Sequence, residues 1–287
     1  MRNFRSLFWL FAIVLVFQSC SESDDDPIAG ELPAIDILDD SYGSDPVQSL
    51  NVYLPAGRSA SETPLLIYIH GGAWLDGDKD EFDSFRALAE TYFPDYAYIS
   101  IGYRLYDIPT GSNAFPTQEE DIIDAIEYIM SKTSEWNVST EMVLAGASAG
   151  GHLALLHGYK HSNIGNIKSI FALFPPTELA ELFDFNLITQ LGLTQLLGGT
   201  PQTNPEGYSD SSPVNFIGSQ SIPTMFFHGT EDDVVPISQS EILESDLQAA
   251  GVDHEFVIIQ GQGHGFAPLT YAQAFEQAAA FSANYIP

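Results

Sequence analysis

Six apolar runs of strand length, separated by segments with helical patterning, constrain this chain more than any other feature. They are Leu65–His70, Ala97–Ile101, Met142–Ala145, Ile170–Phe174, Thr224–Phe227 and Glu255–Ile259. A strand that is apolar at consecutive positions has no polar face, so it must be covered on both sides. Between the runs, Glu81–Tyr92, Gln118–Met130, Ser238–Ala250 and Tyr271–Tyr285 repeat their apolar residues at helical spacing. Alternation of this kind predicts an α/β fold whose central sheet is mostly parallel, with helices on both faces. An earlier segment, Gln48–Pro55, reads as a partly exposed strand. Residues 175–214 hold no clear strand and read as helices and loops inserted above the sheet, forming a binding rim. With 45% hydrophobic residues in a chain of 287, one large core can form.

The first residues stand apart. Arg2 and Arg5 precede an apolar run, Leu7–Phe17, that is short for a membrane span and suits a secretory signal. The run ends in Phe17-Gln18-Ser19-Cys20, which resembles a bacterial lipobox, and Cys20 is the only cysteine. That resemblance implies a signal peptide over 1–19, a lipidated Cys20 opening an acidic tether over 20–34, and a catalytic domain over 35–287. It also implies lipid anchoring at the cell envelope, in the outer membrane and surface-exposed, since the acidic run Ser21–Asp26 follows the cysteine. The lipid anchor is the only membrane contact expected.

Charge narrows the partners. With 39 acidic against 9 basic residues and a formal net charge of −30, the surface repels nucleic acid. Neutral substrates fit it better than polyanions.

The chemistry centres on Gly146-Ala147-Ser148-Ala149-Gly150, lying between a strand and a helix-forming segment. A serine on such a sharp elbow is lifted clear of the backbone, but its hydroxyl is inert without a base to take its proton. His264, in Gly261–Phe266 beyond the last strand, can reach back over the sheet. A carboxylate should orient it, and Glu231, Asp232 and Asp233 follow the strand ending at Phe227. The sequence His70-Gly71-Gly72-Ala73-Trp74 suits an oxyanion hole, with N–H groups at Gly71 and Gly72 joined by that of Ala149. Trp74 either shapes the acyl or leaving-group pocket or packs in the core. Neither an H-E-x-x-H pair nor a cysteine set is present, so no metal or organic cofactor is expected.

Together these stretches resemble the α/β-hydrolase superfamily, in its esterase/lipase branch with an HGG-x-W loop. The likeness is nearest to the bifunctional feruloyl and acetyl xylan esterase-like (BD-FAE-like) group. It is carried by Leu66–Trp74 with Gly77-Asp78-Lys79, Gly102-Tyr103-Arg104-Leu105, Phe115-Pro116 with Asp121, Gly146–Ala154, Ser212–Asn215, His228-Gly229-Thr230 and Gly263–Phe266. Family spacing in His-Gly-x-x-Asp-x-x-Val-Pro selects Asp232. The resemblance implies an α/β-hydrolase fold and a serine carboxylesterase with catalytic Ser148, Asp232 and His264. Its substrates would be acetyl or feruloyl esters on acylated oligosaccharides or polysaccharides such as xylan. A serine peptidase, formamidase or lipase on the same fold, or a non-catalytic surface binding lipoprotein, are the alternatives. Two positions depart from the group: Ala73 where a third glycine is common, and Ala147 where glutamate is common.

Overall fold

The computed structural model describes residues 32–286. The expected signal peptide, Cys20 and all of the tether but its last three residues lie outside the described residues.

Eight strands form one sheet: β1 (Ile35–Ser41), β2 (Ser49–Leu54), β3 (Leu65–Ile69), β4 (Ala97–Ile101), β5 (Glu141–Ala147), β6 (Asn166–Leu173), β7 (Thr224–Gly229) and β8 (His254–Ile259). Their order is β1-β2-β4-β3-β5-β6-β7-β8. The β1–β2 and β2–β4 pairs are antiparallel and the other pairs parallel. Helices α1 (Asp83–Tyr92), α2 (Thr117–Trp136), α3 (Ala149–Lys160), α7 (Ser238–Ala250) and α8 (Pro268–Ser282) cover the sheet. Three short helices, α4 (Leu179–Phe183), α5 (Leu187–Leu196) and α6 (Pro205–Asp210), fill the inserted stretch.

Because successive strand side chains point to opposite faces, each apolar run feeds two cores. Ile67, Ile99, Leu144 and Phe226 pack with Ile122 and Ile126 of α2 and Leu153 of α3 on one face. Leu66, Tyr98, Val143, Phe171 and Phe227 pack with Ala89 of α1 and Phe275 of α8 on the other. This two-sided burial is why β3 to β7 lack polar alternation; β8, at the sheet edge, is only partly covered, with Glu255 and Ile258 exposed.

Two expectations change. The strand at Gln48–Pro55 is not partly exposed: every residue of β2 is buried, because β1 and β4 flank it. The strand β1 itself escaped the sequence reading. It is a mostly exposed edge whose Asp36, Asp39 and Asp40 break the apolar pattern, and its register shifts between Ile37 and Asp40. Acidic residues and an irregular register both discourage edge-to-edge pairing.

β3 and β5 lie side by side, with Ile69 opposite Gly146, and β7 and β8 pair Gly229 with Ile259. Loops leaving the carboxyl ends of these four strands therefore meet along one sheet edge, where ligands of such sheets bind.

Candidate active site

Ser148 stands between β5 and α3 with φ 53° and ψ −123°, a strained conformation for a residue with a side chain. Its N–H donates to Leu173 O at 2.9 Å, tying the elbow to β6. Gly150 shows why the elbow demands glycine. A Cβ there would fall 2.0 Å from Ile69 O and 2.5 Å from His70 O, so any side chain would drive α3 off β3.

His264 comes from the loop after β8. Its Nδ1–H donates to Asp232 Oδ2 at 2.8 Å, and its Nε2 accepts from Ser148 Oγ at 2.9 Å. Asp232, in the loop after β7, has no exposed side-chain surface. Its Oδ1 accepts the N–H groups of Val234 and Val235, both at 2.9 Å. Of the three acids in this loop, Asp232 alone reaches the imidazole. Burial by itself pushes its carboxyl up; the hydrogen bonds from His228, His264 and Val235 outweigh burial and hold it well below the usual carboxylate range. The carboxylate thus stays charged beside an imidazole that can take a proton.

Two supporting side chains were not anticipated. His228, fully buried, places Nε2 at 2.9 Å from Val235 O and 3.2 Å from Asp232 Oδ2, while its Nδ1 accepts from Ser240 Oγ at 2.7 Å. Asp232 is therefore held between two histidines. Phe174 packs its ring 4.6 Å from that of His264. The His-Gly pair at 228–229 was a signal for the first; no sequence signal marks the second.

The oxyanion loop requires a correction. The N–H of Gly71 donates to Glu81 Oε2 at 3.3 Å and is not offered to a substrate. The neighbouring peptides are oriented differently. Gly71 O accepts from His70 Nδ1–H at 2.8 Å, and Gly72 O accepts the N–H groups of Leu75 and Asp76 at 3.0 Å. In a trans peptide the N–H points opposite to its carbonyl, so the N–H groups of Gly72 and Ala73 face away from these partners. Neither has an acceptor among the described residues. Ala149 is the first residue of α3 and has no acceptor within the helix. Of the candidate N–H groups, those of Gly72, Ala73 and Ala149 are therefore without an acceptor among the described residues, and Ala149 stands at the positive end of the α3 dipole.

For Trp74, the two expected alternatives are not exclusive by position. It is 5% exposed and belongs to the core, yet it lines the cleft that reaches Ser148. Its Nε1–H donates to Nδ1 of fully buried His152 at 3.3 Å, and His152 Nε2–H donates to Ser211 O at 2.7 Å. The cleft measures about 250 Å³. Leu182, Ile188, Leu193 and Leu196 of the inserted helices give it an apolar wall, and Asp233 is its one charged residue. No group of three or more histidine, cysteine or acidic side chains able to hold a metal occurs among the described residues.

A serine hydroxyl bonded to an imidazole, with donors beside it for a developing negative charge, can carry acyl transfer. The sheet order and this geometry together place the protein in the α/β-hydrolase class. Within that class the chain belongs to the BD-FAE family, whose model matches residues 50–247. It is 24% identical to esterase LipC of Mycobacterium tuberculosis, over 78% of this chain and 58% of that protein. It is 28% identical to kynurenine formamidase of Meyerozyma guilliermondii, over 75% of this chain and 82% of the relative. Among solved structures, a truncated carbohydrate esterase from gut microbiota has the same fold. It superposes with a TM-score of 0.75 at 23% identity, covering 88% of this chain and 96% of that one.

Proposed function

We propose that the protein is a serine carboxylesterase that removes aromatic acyl groups of the feruloyl type, and acetyl groups, from plant-type polysaccharides. The observation that carries the reading is the Ser148–His264–Asp232 relay, at 2.9 and 2.8 Å, opening into an apolar cleft. Ser148 Oγ attacks the ester carbonyl as His264 Nε2 takes its proton. The oxyanion forms against the N–H groups of Gly72, Ala73 and Ala149. His264 returns the proton to the departing alcohol, leaving an acyl-serine, and then activates water to release the acid. Asp232 holds the imidazole in the right tautomer and stabilises the imidazolium.

Cleft size supports the aromatic acyl group. An apolar cavity of roughly 150 Å³ is enough to hold benzene, so about 250 Å³ leaves room for a substituted ring. The likeness to a carbohydrate esterase supports a saccharide alcohol. Lipidation of Cys20 and display on the outer membrane belong to the same reading, because a polysaccharide is too large to enter the cell intact.

The test compares release of ferulate and acetate from xylan-derived oligosaccharides by wild type and Ser148→Ala. Wild type should release both, ferulate more efficiently, and the variant neither, with folding unchanged. An inert wild type, or an active Ser148→Ala, would refute the reading. Similarity to a formamidase over most of its length makes an N-formyl aromatic amine the second substrate class to assay.

A further inference from the structure

We propose that Glu81, outside the cleft and outside the oxyanion motif, is the positioning residue that sets the oxyanion loop; the inference rests on the esterase reading above. Glu81 bridges two groups. Its Oε2 accepts the N–H of Gly71 at 3.3 Å, and its Oε1 accepts the Tyr68 hydroxyl at 2.7 Å. Tyr68 belongs to β3, the strand that leads into the loop.

The turn that carries Glu81 is itself fixed to the sheet. It is a 3₁₀ turn, Lys79–Phe82, in which Phe82 is fully buried. Ser100 Oγ of β4 donates to Lys79 O at 2.6 Å, and Asn51 Nδ2 of β2 donates to Asp80 Oδ1 at 2.7 Å. Lys79 Nζ pairs with Asp39 Oδ1 of β1 at 2.8 Å. Four strands thus determine where the Glu81 carboxylate stands, and the carboxylate holds the N–H side of the peptide whose carbonyl, His70 O, is held by Tyr103.

The orientation of that peptide matters because the loop has no slack. Gly71 lies against the nucleophile: a Cβ on it would be 3.1 Å from Ala147 O and 3.6 Å from Ser148 Cβ. The next carbonyl, Gly71 O, is held by His70 Nδ1–H, and the Tyr103 hydroxyl donates to His70 O at 3.0 Å. With its acceptor removed, the Gly71 N–H is left unpaired, and that cost favours rotation of a peptide then held by the Tyr103–His70 hydrogen bond. Such rotation turns the following peptides and moves the Gly72 and Ala73 donors off the oxyanion. Glu81 touches no substrate; it acts through the backbone.

The experiment measures kcat, KM and Ki for an aryl trifluoromethyl ketone with wild type, Glu81→Ala, Glu81→Gln and Tyr68→Phe. The ketone adds to Ser148 and places an oxyanion in the hole, so it reports on donor alignment separately from substrate binding. Losing a donor outright costs on the order of 10²–10³ in rate, and misalignment should cost Glu81→Ala about 10–100-fold in kcat. KM should change little, and the ketone Ki should rise in parallel with the kcat loss. Glu81→Gln keeps a neutral acceptor for Gly71 and should retain most of the rate. Tyr68→Phe, which loosens the carboxylate without removing it, should show the same signature more weakly and stands in if Glu81→Ala does not fold. Wild-type kcat in Glu81→Ala, a loss confined to KM, an unchanged ketone Ki or a Glu81→Gln as impaired as Glu81→Ala would each overturn the inference. An inert wild type sinks the esterase reading together with this one, whereas an active wild type matched by Glu81→Ala sinks this one alone.

Discussion

Acidification should weaken the fold through His152, and the size of the effect follows from its surroundings. Its Nε2–H is committed to Ser211 O, so only Nδ1 can take a proton, and that lone pair already accepts Trp74 Nε1–H. A proton there would set donor against donor inside the core. Burial accordingly lowers the His152 pKa from 6.5 to about 4, with the Ser211 hydrogen bond opposing the shift and Lys160 adding to it. The unfolded chain therefore binds this proton first as pH falls. The stability contributed by the neutral ring is fully present above pH 6.5 and is lost progressively down to about pH 4. A shift of this size corresponds to about 3 kcal/mol. The cleanest assay is urea unfolding of wild type and His152→Gln at pH 7.5 and pH 4. Titration of the many carboxylates is common to both proteins and cancels in the difference. The stability advantage of wild type should shrink by about 3 kcal/mol across that interval. An advantage that does not change with pH would refute the reasoning. It would mean that the ring is charged in the native state or reaches water.

Asp232→Asn should lower kcat on the order of 10⁴-fold while leaving the fold intact, because the amide no longer fixes the imidazole tautomer; single-turnover acylation kinetics would reveal it. Gly150→Ala forces a Cβ to within 2.0 Å of Ile69 O; thermal unfolding should show a loss of about 1–3 kcal/mol, and esterase assays should show a parallel loss of rate. Gly192 lines the cleft on α5, and a Cβ there meets nothing within 4 Å. Gly192→Leu should therefore narrow the cleft without strain, cutting kcat/KM for feruloyl esters while sparing acetyl esters. The same change should raise helix stability by about 1 kcal/mol, read from the thermal midpoint; equal loss on both substrates would show that the acyl group binds elsewhere.

Most of the sheet was legible because its strands are covered on both faces, which writes unbroken apolar runs into β3 through β7. The edge strand β1 was not, since an exposed strand rich in aspartate leaves no such trace. In the same way Ser148, His264 and the His-Gly-x-x-Asp spacing stood out as motifs, while Phe174 did not. Its contact with His264 depends on how β6 ends beside the last loop.

The division is physical. Sequence alone determined the layered α/β architecture, the nucleophile elbow and the identity of the groups that could serve it, because side-chain type and local spacing carry that information. Tertiary structure alone decided which backbone N–H groups are free, that Asp232 is gripped by two histidines, and that the inserted helices close an apolar cleft over Ser148. Peptide orientation and burial arise from contacts between residues distant in the chain, such as Gly71 with Glu81 and His152 with Ser211. Those contacts come into being only when the sheet edge is assembled.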